Sequence, residues 1–390
     1  MIIFQNTYDI CKKKIDKHMS VYPKDNVYQY SACSDGNYKI NTTPSLLKNK
    51  FAWTASFITG LAPLIYNTEK DERYIKWAEQ YSMFYADKIF NHPLNTMHDL
   101  GFLYSAYSVA MYNHTGSKLH RDTALKAADE LLKRFDINGR YIDAWNDMDN
   151  DQRTGRAIVD CMLNIQLLFW AWKETGHTIY RDIAEAHADT TIKYFIRDDF
   201  SICHSFDFDR KTGKILNEHN DCGYSNGSYW ARGTAWMIYG LSITARYLED
   251  EYYYEVAVKV LNKYLESMNG KFVPVWDFKL PKDKPALKCG KEPAAWDESN
   301  PENCKYNIDT SAATIVVCAM QEMNKFKSNK KYQELIEETL VELCEKYFNS
   351  NPNVCGILSN QNGQMQYTTY GDYYFVQALQ VQLYDCKTCW

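Results

Sequence analysis

Two aspartates lie where loops lead into long apolar segments of the sequence. Asp99 belongs to the string Met97–Phe102, and Asp160 belongs to the string Ile158–Asn164. If the helices that follow are arranged in a ring, both carboxylates point into the same mouth. Two carboxylates in one aromatic-lined mouth can supply the acid and base catalysis that cleaves sugars. The pair therefore indicates where this chain could do chemistry.

Each aspartate also has an ordinary structural interpretation. Asp99 stands at the start of its predicted helix, where a carboxylate commonly caps the first free N–H groups. Asp160 is predicted about one turn inside a helix that begins near Ala157. Burial there would raise its pKa and suit it to proton donation. The alternative is a buried structural Asp that is held by hydrogen bonds.

Other side chains near these positions could bind a sugar acid. His204 falls in a predicted hairpin. Arg232 opens a predicted helix, and its guanidinium can grip a carboxylate with two hydrogen bonds. Tryptophan rings could stack on sugar faces. For each candidate the alternative is a structural hydrogen bond or packing in the core. The tryptophan candidates are Trp53, Trp145 and Trp236.

The composition excludes several classes of partner. The chain has 390 residues, of which 45% are hydrophobic, and a net charge of −5. It has no run rich in Lys and Arg, so a nucleic-acid surface is not expected. No apolar segment approaches the roughly 20 residues of a membrane span, and the first residues lack the apolar core of a secretion signal. We therefore expect a cytoplasmic protein whose 12 cysteines are mostly reduced.

The sequence contains no motif that calls for a metal ion or an organic cofactor. The acidic string Asn146–Asp151 suggests calcium, but Gln152 and Ile158 occupy the positions of the EF-hand glycine and closing glutamate. Cys386 and Cys389 form a single CxxC, which is weak evidence for zinc or redox chemistry. Phosphate-binding loops and zinc-protease motifs are absent as well. We expect no metal and no cofactor.

A repeat of 60 residues indicates stacked helical hairpins. The segment from Thr115 to Phe135 matches the segment from Thr175 to Phe195, and the matched positions are 60 apart. Predicted helices that are apolar on all sides alternate with amphipathic ones, as expected for inner and outer helices. The apolar set comprises residues 51–66, 99–112, 157–172, 230–247, 309–323 and 373–384. The amphipathic set comprises residues 71–90, 117–135, 178–195, 251–268 and 329–348, with residues 1–20 as a further candidate.

This alternation predicts an all-α fold, an (α/α)6 barrel formed by a single domain over residues 1–390. Residues 202–218 alternate between polar and apolar types and predict a small β-hairpin insertion. Residues 272–306 contain several prolines and predict a long excursion. Because the inner helices of such a barrel run in the same direction, their N-terminal ends line one mouth and favour anions.

At these residues the chain resembles the unsaturated glucuronyl hydrolases of glycoside hydrolase family 88. The resemblance extends from about Trp53 to Phe375 and follows the family's order of motifs. It implies an (α/α)6 barrel that acts on oligosaccharides released by polysaccharide lyases and ending in a 4,5-unsaturated uronic acid. The strings that carry it are Trp53–Thr54, His98–Phe102, Ile142–Trp145, Val159–Met162, Gly223–Ser225, Trp230–Trp236, Tyr239–Gly240 and Gly371–Tyr373.

The resemblance also implies roles for individual residues. The family's acid/base aspartate matches Asp160, and its second essential aspartate matches Asp99. The implied reaction is hydration of the C4=C5 vinyl ether, in which Asp160 protonates C4 and then activates the water that adds at C5. The residues that match the family's substrate contacts are His204, Arg232, Trp145, Trp236 and Trp53.

One position departs from the family. Cys222 precedes the Gly-Tyr pair where the family commonly has Gln, so an amide contact to the sugar would be lost. Asp221 or Asn220 is a candidate replacement. The stretch Leu358–Tyr370 contains Ser359 but no Lys, so the preference for sulfated substrates stays open. The neighbouring sugar, its linkage and the oligomeric state are open too.

Three alternatives to this function deserve a test. The nearest is a related barrel that acts on unsaturated galacturonyl-rhamnose from pectin, although the string His98–Phe102 together with Trp145 favours the glucuronyl branch. A sugar epimerase on the same barrel would require paired histidines at the mouth, and His204 alone is well placed. A catalytically silent glycan-binding barrel would not require both aspartates.

Overall fold

Helices make up most of the computed structural model, which describes residues 1–22, 29–32, 36, 38–40, 47, 49–145, 155–279, 308–362 and 365–390. The inner helices are α2 (Ala55–Thr59) with α3 (Leu61–Glu69), α6 (Leu100–Tyr104) with α7 (Ala110–Thr115), α9 (Cys161–Asn164) with α10 (Gln166–Thr175), α12 (Ala231–Leu248), α14 (Thr310–Phe326) and α16 (Thr369–Tyr384). The outer helices are α1 (Ile2–Val21), α4 (Glu72–Glu79) with α5 (Ser82–Asn91), α8 (Lys118–Leu132), α11 (Thr178–Phe195), α13 (Glu251–Met268) and α15 (Lys330–Glu342).

The inner helices form a closed ring. In order around it, α12 packs against α14, α14 against α16, α16 against α2, α2 against α6, α6 against α9, and α9 against α12. The outer helices pack on this ring, and each contacts the inner helix that precedes or follows it in the chain. The prediction of an all-α (α/α)6 barrel is confirmed, and the predicted helix at residues 1–20 is the outer helix α1.

Local sequence signals explain where several helices begin and end. Asp71, Asp250 and Asn329 cap outer helices with their side chains, which accept backbone N–H bonds from the first turn. Gly116 and Gly176 end α7 and α10 in the left-handed region, with φ of 65° and 75°. These glycines occupy equivalent positions of the 60-residue repeat, so the repeat corresponds to one inner–outer hairpin.

The predicted hairpin is part of a larger sheet. The strands β2 (Ser205–Phe208) and β3 (Ile215–His219) pair as expected, but a third strand, β1 (Gly155–Ile158), pairs with β2 on its other side. The prediction of a helix starting near Ala157 is therefore wrong, because this residue pairs with Phe206 in the sheet. The inner helix begins only at Cys161, and Asp160 stands directly before it.

Buried and half-buried cations hold the loops that lead into the inner helices. Lys14 donates hydrogen bonds of 2.7–3.0 Å to the carbonyls of Asn351, Val354 and Gly356, which lie in the segment before α16. Lys88, Arg134 and Arg197 make the same kind of contact elsewhere. Their carbonyl partners include Asn49 and Asn95 for Lys88, Thr96, Asp143 and Ala144 for Arg134, and Ile202 and Ser228 for Arg197.

Two segments singled out in the sequence lie wholly or partly outside the described residues. The acidic string at residues 146–151 and residues 280–306 of the excursion lie outside the described residues. The two ends of the excursion are anchored, since Asp277 bridges to Trp230 and Val275 bridges to Ile308. Among the described helices, none combines the length and the apolar character needed to cross a membrane.

Replacing Lys14 tests the role of the buried cations. Lys14→Met should lower the free energy of unfolding by roughly 3 kcal/mol, because three carbonyls lose their donor and that of Gly356 is buried. Lys13→Met is the matched control, since Lys13 is exposed on the same helix. Urea denaturation of both variants measures the difference. Equal stability of the two variants would contradict the role given to Lys14.

Candidate active site

The two aspartates stand at the starts of neighbouring inner helices. Asp99 directly precedes α6 and is 7% exposed, and Asp160 directly precedes α9. Neither side chain accepts a hydrogen bond from the N–H groups of its own helix. The interpretation of Asp99 as a plain N-cap is therefore wrong. Its Oδ1 instead accepts a hydrogen bond of 3.1 Å from the amide of Asn164 on the neighbouring helix.

Burial makes both carboxyl groups weak acids. Burial raises the pKa of Asp160 from 3.8 to about 7, and the positive charge of Arg232 opposes this rise only in part. Its Oδ1 is buried and, among the described residues, accepts no hydrogen bond. Burial also raises the pKa of Asp99 well above its ordinary value, and a negative charge on Asp160 adds to the rise. The two groups thus titrate as a coupled pair that holds a proton near neutral pH.

An aromatic and cationic wall adjoins the aspartates. Trp53 stacks on Tyr370 with 5.3 Å between ring centroids and 22° between planes. The guanidinium carbon of Arg232 lies 5.2 Å from the ring centre of Tyr370 and 4.6 Å from that of Trp230. Arg232 also forms an ion pair with the buried Asp309. The guanidinium is therefore held in one orientation between two rings.

His204 and Trp145 approach the mouth from the side of the sheet. The two rings lie 6.4 Å apart, and His204 meets Trp230 edge-on at 5.1 Å. His204 Nδ1 accepts the N–H of Asp221 at 3.2 Å, so the ring carries its proton on Nε2. Burial lowers the pKa of His204 to about 3. The buried Nε2–H is thus a neutral donor that has no hydrogen-bond partner among the described residues.

Arg156 supports both of these residues. Its guanidinium lies 5.8 Å from the ring centre of Trp145 and bonds to Asp207 at 2.6 Å and to Asp221 at 3.2 Å. Asp221 is the residue whose backbone N–H orients His204. The sheet therefore holds Trp145 and His204 through one ionic network.

The remaining two candidates, Trp236 and Cys222, have different surroundings. Trp236 is 1% exposed, with its ring centroid 5.0 Å from Phe102 and 5.6 Å from Tyr374. These contacts are those of a core residue beneath the mouth. Packing in the core was the alternative interpretation of Trp236 in the sequence. Cys222 is half-buried and forms no disulfide bond, and it lies within electrostatic reach of Arg232.

The loop around Cys222 is held by buried polar side chains. Asp277 accepts the backbone N–H groups of Tyr224 at 2.9 Å and Tyr229 at 3.1 Å. Asn220 Oδ1 accepts the N–H of Gly223 at 2.6 Å, so this side chain is used inside the loop. Asn220 is consequently a poor replacement for the missing Gln, and Asp221 is engaged by Arg156.

Three further residues contact the named candidates at this mouth. The sequence patterns did not indicate them. Tyr370 lies between Trp53 and Arg232, Asn164 bridges the two aspartates, and Arg156 supports Trp145. Only Asn164 had a signal in the sequence, which is its spacing of four residues from Asp160. Within the described residues, no group of three or more His, Cys, Asp or Glu side chains could hold a metal ion.

Comparison with known proteins agrees with this geometry. The model of glycosyl hydrolase family 88 matches residues 28–277. The chain belongs to glycoside hydrolase family 88. As a member of this family, it is a glycoside hydrolase.

Individual family 88 relatives match most of the chain. An unsaturated chondroitin disaccharide hydrolase from Streptococcus pneumoniae strain R6 is 33% identical, over 84% of this chain and 81% of the relative. An unsaturated glucuronyl hydrolase from Bacillus sp. strain GL1 is 31% identical, over 89% of both chains. The crystal structure of the unsaturated glucuronyl hydrolase from Bacillus sp. GL1 superposes with a TM-score of 0.85 at 27% identity, covering 99% of this chain and 98% of that one.

The raised pKa of Asp160 predicts a pH-dependent stability difference. A carboxyl whose pKa rises from 3.8 to about 7 on folding destabilises the protein progressively as pH increases between those values. Asp160→Asn does not titrate, so its melting temperature relative to the wild type should increase from pH 4 to pH 7 and then level off. Thermal unfolding at several pH values measures this difference. Asp198→Asn, at an exposed position, is the control, and a flat difference for Asp160→Asn would contradict the assignment.

Proposed function

We propose that this chain removes a 4,5-unsaturated uronic acid from the non-reducing end of oligosaccharides generated by polysaccharide lyases. The names of its Streptococcus and Bacillus relatives support a substrate of this class. The observation that carries the proposal is the Asp160 carboxyl, whose Oδ1 is buried and whose pKa is raised to about 7, with the Asp99 carboxyl and the Arg232 cation as its neighbours. Such a group can give up a proton at neutral pH and take one back.

The reaction begins at the C4=C5 vinyl ether, which accepts a proton at carbon. Asp160 donates its proton to C4, and positive charge develops at C5 and the ring oxygen. The Asp160 carboxylate then removes a proton from a water molecule as the water oxygen bonds to C5. The hemiketal formed at C5 opens, and the hemiacetal that this leaves at C1 expels the rest of the chain. One residue thus serves both proton transfers.

The neighbouring residues take supporting roles. In its carboxylate form, Asp99 stabilises the cation or keeps the proton on Asp160 through like-charge coupling. Arg232 and the Nε2–H of His204 are suited to bind the uronate carboxylate, since one carries charge and the other is a free neutral donor. Because C5 rather than C1 is attacked, the carboxylate separation rule for inverting and retaining pairs does not apply.

The aromatic residues hold the sugar plane. Trp145 is partly exposed beside His204, and Trp53 is partly exposed on the other side of the mouth. Both rings are therefore available for stacking. Trp236 acts from beneath, since its ring supports Phe102 rather than reaching solvent. Cys222 stands near Arg232 in the position of the family's Gln and offers a thiol in place of an amide.

We further propose that residues 1–390 act as one catalytic domain in the cytoplasm. The ring of inner helices runs from α2 to α16, so both halves of the chain contribute to one mouth. The cysteines of the described residues form no disulfide bonds, as is usual in a reducing compartment.

Absorbance of the C4=C5 bond provides the direct test. The protein is incubated with unsaturated disaccharides from chondroitin, hyaluronan, heparin, gellan-type and pectin-type polymers, with and without sulfate. At least one glucuronyl substrate should lose its ultraviolet absorbance. Loss with the pectin-type product alone would favour the rhamnogalacturonyl activity. No loss from folded protein that still binds sugar would favour the silent or epimerase function.

Isotope labelling and substitution test the mechanism. In D2O the released uronic acid should carry deuterium at C4, because that carbon receives the solvent-exchangeable proton of Asp160. Asp160→Asn should lower kcat by about 100- to 10,000-fold while leaving substrate binding intact. Asp182→Asn, an exposed carboxylate, serves as the control. Full activity of Asp160→Asn, or product without deuterium at C4, would refute the mechanism.

A further inference from the structure

The side-chain amide of Asn164 joins the two candidate catalytic helices. It is fully buried at the end of α9, one turn after Asp160. Its Nδ2 donates to Asp99 Oδ1 at 3.1 Å and to the backbone carbonyl of Asp160 at 3.2 Å. Its Oδ1 accepts the backbone N–H of Phe102 at 2.8 Å. The amide therefore contacts the backbone of both helices and one of the two carboxylates.

The backbone contacts determine which way the amide points. The N–H of Phe102 can only donate, and the carbonyl of Asp160 can only accept. Asn164 must therefore direct its oxygen at Phe102 and its NH2 group at the Asp160 carbonyl. The same NH2 group faces Asp99, so the carboxylate always meets a donor. A donor in this position favours the ionised form of the carboxylate.

Close packing prevents Asn164 from moving away. A Cβ atom added to Gly101 would lie 2.3 Å from Asn164 Cα and 2.4 Å from its carbonyl oxygen. Only glycine allows the two helices to approach this closely. The helix starts are thus in direct backbone contact, and the amide is held in a fixed orientation.

We propose that Asn164 is a positioning residue that assigns the single proton of the aspartate pair to Asp160 by binding the carboxylate of Asp99. This inference rests on the proposed function of Asp160 as the proton donor. Asp99 has a buried amide donor, whereas the buried Oδ1 of Asp160 has no hydrogen-bond partner among the described residues. The hydrogen bonding of the pair is therefore asymmetric, and the amide opposes the burial that raises the pKa of Asp99.

The other charged and titratable groups around the pair do not create the same asymmetry. Arg232 favours ionisation of Asp160, and Arg134 favours ionisation of Asp99, so these cations act in opposite directions. His98 Nε2 lies 3.5 Å from Asp99 Oδ1, but burial lowers the pKa of His98 well below its ordinary value. Burial and both aspartates raise the pKa of Cys161, which stays a neutral thiol.

Removal of the amide should transfer the proton to the wrong aspartate. In Asn164→Ala, the Asp99 carboxylate loses its donor and competes with Asp160 for the one proton. We expect kcat to fall about 10- to 100-fold, the scale of one hydrogen bond to a charged group, with KM changed less than about threefold. The acid limb of the kcat profile, which reports ionisation of Asp99, should move to higher pH.

A double-mutant cycle separates this role from a purely structural one. With Asp99→Asn in place, Asn164→Ala should cause no further movement of the pH profile, because the carboxylate that the amide serves is gone. Gln380→Ala is the matched control. It removes another fully buried amide, on α16, which bonds Tyr8 and the carbonyl of Leu64, and it should lower stability without moving the profile. An unmoved acid limb in folded Asn164→Ala would overturn the proposal.

A substrate-free measurement keeps this inference distinct from the proposed function. Aspartate labelled with 13C at the carboxyl carbon allows both groups to be titrated by NMR in the wild type and in Asn164→Ser. The pKa of Asp99 should increase in the variant. If it does but no unsaturated sugar is hydrolysed, the proposed function fails while the role of Asn164 in proton placement stands. If the Asp99 titration is unchanged, the role of Asn164 fails whatever the activity.

Discussion

The direct contact between two inner helices at Gly101 and Asn164 is the constraint on which the site depends. It brings the starts of α6 and α9 together, so that Asp99 and Asp160 become neighbours in a buried position. Their shared desolvation keeps a proton on the pair near neutral pH. A larger residue at position 101 would push the helices apart, since its Cβ would overlap the backbone of Asn164.

The mouth is formed by loops, and these loops are held by cations of the outer helices. Lys14, Lys88, Arg134 and Arg197 lie on or just after outer helices, and each donates to backbone carbonyls in the segments before the inner helices. Three of the four sit in the last turn of a helix or just beyond it, where the helix dipole favours a cation. The outer ring thereby positions the loops that carry Asp99, Trp145 and Trp230.

The site retains polar groups that a stable core would avoid. Among the described residues, Asp160 Oδ1, His204 Nε2 and His98 Nδ1 are buried without hydrogen-bond partners. Each costs free energy in the folded protein, and such costs concentrate where a ligand or a reaction uses the free group. By contrast, Arg232 is held by Asp309 and two aromatic rings, so its orientation is set before any substrate binds.

The sequence by itself determined the alternation of inner and outer helices, the 60-residue hairpin and the two aspartates near the starts of successive inner helices. These features are local, because periodicity, capping residues and left-handed glycines act within a few positions. Tertiary structure alone decided that residues 155–158 form a strand, since their partner strand lies about fifty residues away. It also decided that Trp236 is buried, and that the amide of Asn164 rather than a helix N–H meets Asp99. Those outcomes depend on which distant side chains close packing brings together, and no local pattern encodes that information.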